Sequence, residues 1–396
     1  MISVAIMGYG TVGCGVAALL EDSSPRVLRA AGTEVRLKKI LDLREFPGDR
    51  FSSLLTHRFE DLLEDPEIRV VCECMGGKTY AYEYTKRLLA AGKSVVTSNK
   101  DLVAAHGAEL LKLAKEKDAR YLFEASVGGG IPILGPLSRD LAVNRFREVY
   151  GILNGTTNYI LTSMAESNAD FDVCLREAQD LGYAERDPSK DVDGIDTANK
   201  VSILSSLSFG RHIYPESIET EGIRGVTRED ILLAESIGCR VKLVGRAFLD
   251  EEERVYAFVA PHLVSSSNQL YGVNGVFNGV ILRGDAVGDL MLYGRGAGRM
   301  PTASAVVGDV IEAAKTPVSP LPPLWEDGGE ISDGSEHVSR WFIRSSLPVD
   351  ASYFEAFDMI SASAFMTGPM KNHDFHRRMD LFRKKYPVVN AFRVLD

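Results

Sequence analysis

Between Glu185 and Lys200, sixteen residues hold Glu185, Asp187, Asp191, Asp193, Asp196 and Lys200. Carboxylates gathered this densely can grip an ammonium group. A lysine beside them can move a proton where its surroundings lower its pKa. A solvated acidic loop has the same composition, so the stretch must be weighed with its surroundings. The apolar run Val201 to Leu207 follows directly and reads as a helix, with Lys200 at its start.

The chain must also position a second reactant. Ser3 to Met7 is a short β-rich run, and Gly8-Tyr9-Gly10-Thr11-Val12-Gly13 follows it, then the helical pattern Val16 to Leu20. Strand, G-x-G-x-x-G and helix in this order form the dinucleotide fingerprint. The pyrophosphate would rest on the backbone of Gly8, Gly10, Thr11, Val12 and Gly13, at a helix N-terminus. Val35 to Leu41 reads as the second strand and ends in Asp42, 29 residues beyond Gly13. An acid there bonds the ribose hydroxyls of NAD, whereas Arg44 could meet the 2′-phosphate of NADP, so both cofactors stay open. The longer spacing predicts an insertion around Ser23 to Gly32.

Further strands are predicted at Val70 to Met75, Ser94 to Thr97 and Tyr121 to Ala125, with a helix over Tyr80 to Ala91. Alternating strands and helices predict a doubly wound parallel sheet. Gly76, Thr97, Asn99 and Lys100 fall at carboxyl ends of its strands, where ligands of such sheets sit. In the middle of the chain, Glu124-Ala-Ser-Val-Gly-Gly-Gly-Ile-Pro132 has three successive glycines. They would serve a hinge, a ligand or carbonyls turned toward a cation. Arg147 to Leu153 reads as a strand, and Asn154-Gly-Thr-Thr-Asn158 opens a helix whose polar residues would cap it or line a pocket. A second glycine loop, Gly294 to Gly298, precedes a helix over Thr302 to Ala314.

The net charge of −10 argues against nucleic acid as a partner. Five cysteines without a C-x-x-C suggest neither a disulfide framework nor a zinc site, and Cys72 and Cys74 read as core thiols. No apolar run reaches 18 residues and no leader pattern opens the chain, which points to a cytoplasmic protein without a membrane span. Pro317, Pro320, Pro322, Pro323 and Asp327 to Gly334 form a predicted linker. Beyond it the pattern predicts strands at Arg340 to Arg344, Ile360 to Met366 and Val388 to Leu395. Helices are predicted at Ser352 to Met359 and Asp374 to Lys385.

The run Tyr183-Ala-Glu-x-Asp-Pro, then Asp191, Gly194-x-Asp196 and Lys200, resembles the active-site signature of the homoserine dehydrogenases. Thr97-Ser-Asn-Lys100 and Gly151-Ile-Leu-Asn-Gly-Thr-Thr-Asn-Tyr-Ile-Leu161 are similar to the same family. The matches run in order between residues 2 and 314. The resemblance implies NAD(P)-dependent interconversion of L-homoserine and L-aspartate 4-semialdehyde, in threonine, methionine and isoleucine biosynthesis. It implies Lys200 as the main acid/base group, with Lys100 near the reacting oxygen and the nicotinamide. Glu185 and Asp196 would hold the substrate ammonium, and Asp191 would orient Lys200 or the substrate. Gly298 would touch the nicotinamide end. A sodium or potassium ion would be held by the Glu124 side chain and the carbonyls of Val127, Gly129 and Ile131.

The implied fold is α/β. A Rossmann-type nucleotide domain spans 1–130, with a return segment at 290–316, and an α+β substrate and dimerisation domain spans 131–290. A linker covers 317–335 and a shortened ACT-like α+β module covers 336–396, its regulatory role in doubt because the usual Asp-x-Pro-Gly turn is missing. The partners would be a small-molecule substrate and a second copy of the chain. Two other readings stand beside this one: a dehydrogenase of a related amino-acid semialdehyde, and a non-catalytic nucleotide sensor.

Overall fold

A computed structural model describes residues 1–315, 324–328 and 331–396. Most of the expected proline-rich linker, including Pro317, Pro320, Pro322 and Pro323, lies outside the described residues. The chain forms two compact units. The first comprises Met1–Arg145, Ser202–Pro215 and Gly294–Gly329, and the second Phe146–Val201, Glu216–Tyr293 and Glu330–Asp396.

In the first unit, the apolar β-branched runs form β1 (Ile2–Met7), β2 (Val35–Leu41), β3 (Leu55–Thr56), β4 (Ile68–Glu73), β5 (Ser94–Thr97) and β6 (Tyr121–Leu122). They make one sheet in the order β3-β2-β1-β4-β5-β6, parallel throughout. This is the strand order of a dinucleotide-binding sheet. Every residue of β1 is buried, as a strand covered on both faces requires. The core also takes in Val306 and Val310 from the helix Arg299–Ala314, which packs on the helix Thr11–Asp22. The insertion predicted near Ser23 is a helix, Ser24–Ala31, closed by Gly32 at φ +70°. The strand predicted over Tyr121 to Ala125 stops at Leu122. Glu124 N–H donates to Asp309 Oδ2 at 2.8 Å, and the chain turns out of the sheet.

The second unit is built on a ten-stranded sheet. Its strands are β7 (Phe146–Ile152), β8 (Glu219–Thr220), β9 (Cys239–Leu249), β10 (Val255–Ser265), β11 (Phe277–Gly284) and β12 (Gly288–Arg295), joined by four from the tail. The tail contributes β13 (Val338–Ser339), β14 (Trp341–Ser345), β15 (Phe357–Ser361), β16 (Ala364–Thr367), β17 (Met370–Lys371) and β18 (Val388–Leu395). The order is β12-β11-β7-β9-β10-β18-β14-β16-β15, with β8 on β10; β13 and β17 pair separately.

The tail therefore continues the sheet of the second unit and is not set apart as its own compact body. β18 bridges the two, parallel to β10 and antiparallel to β14. The helix predicted over Ser352 to Met359 is a single 3-10 turn, Ala351–Tyr353, capped by Asp350. The strand predicted over Ile360 to Met366 is a hairpin, because Phe357 to Ser361 pair with Ala364 to Thr367. Cross-strand pairing outweighs the weak local helical preference there.

Arg344 of β14 fastens the tail. It reaches Asp230 at 2.6 Å, Glu229 at 2.8 Å and Thr227 Oγ1 at 2.8 Å. Asp230 is fully buried and closes a capping box with Thr227 on the helix Arg228–Ser236. Arg344→Ala would strand that carboxylate in the interior. The expected loss is about 3–5 kcal/mol of stability, read as a lower urea midpoint; an unchanged midpoint would remove Arg344 as the fastening.

Candidate active site

β1 ends at Met7, and the chain turns through the glycines into the helix Thr11–Asp22. Gly8 has φ +92°, and a Cβ there would stand 2.9 Å from the Cys74 carbonyl. A Cβ on Gly13 would meet the Gly8 oxygen at 2.0 Å. Backbone conformation demands the first glycine and strand–helix approach the second. Gly10 is the N-cap, and Thr11, Val12 and Gly13 form the first turn. The N–H groups of a first turn lack intrahelical acceptors and carry the positive end of the helix dipole, which suits a pyrophosphate.

Asp42 follows β2 directly. Its carboxylate accepts Tyr9 N–H at 2.7 Å, Arg44 N–H at 3.0 Å, and Arg44 Nε and Nη2 at 2.9 Å each. The Arg44 guanidinium holds the Asp42 carboxyl down to about 2. The two candidate ribose readers are thus one pair, with the Arg44 side chain 62% exposed and that of Asp42 only 8%.

Gly76 and Thr97 lie at the carboxyl ends of β4 and β5. Thr97 is fully buried, and its hydroxyl donates to Glu73 Oε2 at 2.5 Å. The Thr97 side chain therefore serves the interior. Lys100 opens the helix Lys100–Glu116 behind the N-cap Asn99, whose Oδ1 accepts Leu102 N–H at 3.1 Å. A cation in a helical first turn opposes the dipole, so helix stability does not account for Lys100. Gly298 is the N-cap of the helix Arg299–Ala314.

In the second unit the acidic stretch is more ordered than the predicted loop. A short helix, Ser189–Val192, carries Asp191, and Ile195–Phe209 carries Asp196 and Lys200 one turn apart. Gly194, at φ +83°, makes the break between them. Asn154 caps the helix Gly155–Ser167 through Thr157 N–H at 2.8 Å. Its Nδ2 donates to Asp191 Oδ1 at 2.6 Å and to Asp196 Oδ2 at 2.9 Å. Lys200 Nζ donates to the Leu153 carbonyl at 2.7 Å and lies 2.8 Å from Asp196 Oδ2. Asp196 and Lys200 are 4% and 7% exposed. Charges this deeply placed persist only when paired and hydrogen-bonded.

The other acids of the stretch do other work. Asp187 accepts Ser189 N–H and Oγ–H, and Asp193 pairs with Arg224 Nε at 2.5 Å. Both bonds hold the loop. Glu185 is exposed; among the described residues it bonds through its carbonyl, which accepts Gln179 Nε2 at 3.0 Å. Asp191, Asp196 and Lys200 are thus drawn into one network that Glu185 does not enter. The residue that joins them, Asn154, was recognisable as a cap from its place before a helix. Its bridging of two carboxylates had no sequence signal, and neither had the burial of Glu73.

The Glu124 carboxylate accepts three backbone N–H groups, those of Ile133 at 2.6 Å, Leu134 at 3.0 Å and Gly135 at 2.5 Å. Val127 and Ile131 are buried, and Gly129 has φ +57°, where a Cβ would lie 2.4 Å from the Gly296 oxygen.

A six-stranded dinucleotide-binding sheet, together with a second unit that buries a lysine among carboxylates, defines an NAD(P)-dependent oxidoreductase. Residues 8–124 match the family model "Homoserine dehydrogenase, NAD binding domain", and residues 132–311 match "Homoserine dehydrogenase". The chain is 43% identical over 317 residues to the homoserine dehydrogenase of Synechocystis, covering 78% of this chain and 72% of that one. A homoserine dehydrogenase structure from Thiobacillus denitrificans superposes with a TM-score of 0.91 at 33% identity, over 100% of this chain and 98% of that one. A hyperthermophilic archaeal homoserine dehydrogenase in complex with NADPH gives 0.67 at 32% identity, over 79% of this chain and 97% of that one. The chain belongs to the homoserine dehydrogenase family, NAD(P)-dependent oxidoreductases of amino-acid biosynthesis. The readings as a nucleotide sensor or as a dehydrogenase of another semialdehyde give way to this one.

Proposed function

We propose that Lys200 moves the proton of the homoserine dehydrogenase reaction, that Asp196 and Glu185 hold the substrate ammonium, and that Asp191 orients Lys200 or the substrate. The buried network of Asn154, Asp191, Asp196 and Lys200 carries this reading. Two aspartates close together are carboxylate chemistry that can take an ammonium group. In the reductive direction the charged Lys200 Nζ gives a proton to the substrate carbonyl oxygen as C4 gains hydride and the C=O bond becomes a C–O bond; in the oxidative direction Nζ must first be neutral to take that proton back. When bound, the nicotinamide takes or supplies the hydride. Lys100 is assigned to the reacting oxygen near the nicotinamide, and Glu185, the exposed acid, to the outer side of the substrate. Gly8, Gly10, Thr11, Val12, Gly13, Gly76 and Gly298 are assigned to the dinucleotide.

We infer NADP in preference to NAD. Four donors already fill the roughly four lone-pair sites of Asp42, so a ribose diol would have to displace Arg44. A 2′-phosphate would accept from the exposed guanidinium. A sodium or potassium ion is assigned to Glu124 with the carbonyls of Val127, Gly129 and Ile131. Three of the carboxylate's acceptor sites are taken, which leaves one for the ion, and oxygen donors suit a hard cation. We further propose a cytoplasmic homodimer formed through the second unit. No described helix is long and apolar enough to cross a membrane. The family's biosynthetic role supports the location, and light scattering that returned a monomer mass would remove the dimer.

The direct test follows reduced-nicotinamide absorbance with homoserine and NAD or NADP, with and without sodium or potassium. NADP should give the higher kcat/KM, and Arg44→Ala should lower the NADP:NAD ratio at least about tenfold. An unmoved ratio would clear Arg44, and cation-independent rates would count against the ion. Lys200→Ala should lose several orders of magnitude in kcat with NADPH binding retained; near-normal turnover would rule out its role. Glu185→Ala should chiefly raise KM for homoserine, and an unchanged KM would take Glu185 off the substrate.

A further inference from the structure

Glu73 is the last residue of β4 and is fully buried, in a sheet whose other buried side chains carry no acid or base of the Asp, Glu, Lys or Arg type. Its Oε2 accepts the Thr97 hydroxyl at 2.5 Å and its Oε1 accepts Met75 N–H at 2.8 Å. Thr97 Oγ1 in turn accepts Asn99 N–H at 2.9 Å. Asn99 Nδ2 donates to the Gly77 carbonyl at 2.7 Å. Every hydrogen in this chain has a fixed direction. Asn99 N–H points to Thr97, and Thr97 has one hydrogen, which points to Glu73. Each carboxylate oxygen therefore receives one hydrogen bond, a role that the ionised, acceptor-only form fills best.

The groups so tied are those that border the dinucleotide. Met75 to Gly77 form the turn after β4, Asn99 caps the helix Lys100–Glu116, and Lys100 is the first residue of that helix. A Cβ on Gly8, in the glycine loop, would stand 2.9 Å from Met75 N and from the Cys74 carbonyl. The turn that Glu73 holds is thus packed against the loop that receives the pyrophosphate.

We propose that Glu73 is a positioning residue for the cofactor site, whose carboxylate fixes the Met75–Gly77 turn and, through Thr97 and Asn99, the helix start at Lys100. This rests on the reading that the first unit binds NAD(P), which NADPH binding by the unaltered enzyme checks separately. Glu73 acts through these neighbours and touches no reacting atom. Gln cannot replace it. Its amide nitrogen would face either Met75 N–H or the Thr97 hydroxyl, and one donor would lose its acceptor.

Protonation, like the amide, would place a hydrogen on one of the two acceptors and weaken it. Burial pushes the Glu73 carboxyl up to about 7. Its ionisable neighbours are Cys72 and Cys74 beside it and Tyr121 on β6, all pushed up by burial. Asp309, on the helix Arg299–Ala314 that packs on the sheet, is pushed up to about 8 by burial, but it is common to both proteins in the comparison below.

The experiment measures the NADPH dissociation constant of the full-length enzyme and of Glu73→Gln by nucleotide fluorescence, from pH 6 to 8.5. At pH 8.5 the variant should bind roughly tenfold more weakly and turn over more slowly, with KM for homoserine unchanged. The gap should close as the pH falls through about 7, because the native carboxyl then carries the proton that the amide mimics. Thr97→Val, which cuts the link to Asn99, should weaken binding in the same way and serves if the glutamine variant does not fold. Equal NADPH affinity of either folded variant and the native enzyme at pH 8.5 would overturn the proposal. So would a gap independent of pH, or a parallel rise in KM for homoserine, which would mark general loosening. Failure of the native enzyme itself to bind NADPH would overturn the nucleotide-site reading instead.

Discussion

A buried lysine paired with a buried aspartate, with a second aspartate bridged to the pair by one asparagine, is a constraint that the second unit must satisfy. Lys200 and Asp196 lie one turn apart on a single helix, so the pair is set as soon as that helix forms. Leu153 and Asn154, at the end of β7 and the start of the next helix, supply hydrogen bonds that help it to survive burial. The sheet, the Gly155–Ser167 helix and the acidic stretch must all be in place before those charges are tolerable. The fold thereby holds preorganised charge in a low-dielectric setting, where it acts most strongly on a bound ion.

The first unit solves a different problem, the approach of backbone to a phosphate. Gly8 and Gly13 answer steric demands from Cys74 and from the strand–helix crossing, and the helix N-terminus provides the donors. Around this neutral core of backbone the titratable groups are placed at two depths. Asp42 and Arg44 stand at the end of β2 as a closed pair, its guanidinium open to solvent. Glu73 lies beneath, where no water can stabilise it and only hydrogen-bond donors do.

Much of this was legible along the chain. The strands Val35–Leu41, Ser94–Thr97 and Val388–Leu395 were bounded as they stand, since alternation or continuous apolarity ends sharply at polar or glycine residues. The 3-10 turn at Ala351–Tyr353 and the hairpin after it were not legible, because local propensity there is weak and pairing partners decide. The insertion after the glycine loop was visible as extra length but not as the helix Ser24–Ala31. The sequence pattern also suggested a tail standing apart from 336 onward. Its last strand instead lies between β10 and β14, and its pairing with β10 joins residues more than 120 positions apart, which no local pattern encodes.

By itself the sequence determined residue chemistry and local order. It placed the glycine fingerprint after a strand, the acids and lysine in one stretch, and the helix that carries Asp196 and Lys200. These are features of short spacing, set by the 3.6-residue and two-residue periods of the backbone. Tertiary structure alone decided which acids entered the buried network. Asp191 and Asp196 were drawn to Asn154, and Glu185 stayed in solvent, while Asp187 and Asp193 hold the loop, as the sequence had suggested. It also turned the Thr97 hydroxyl inward to Glu73 and closed Asp42 onto Arg44. The reason is physical: burial and the direction of a hydrogen bond depend on which distant segments pack together, and a linear pattern holds neither.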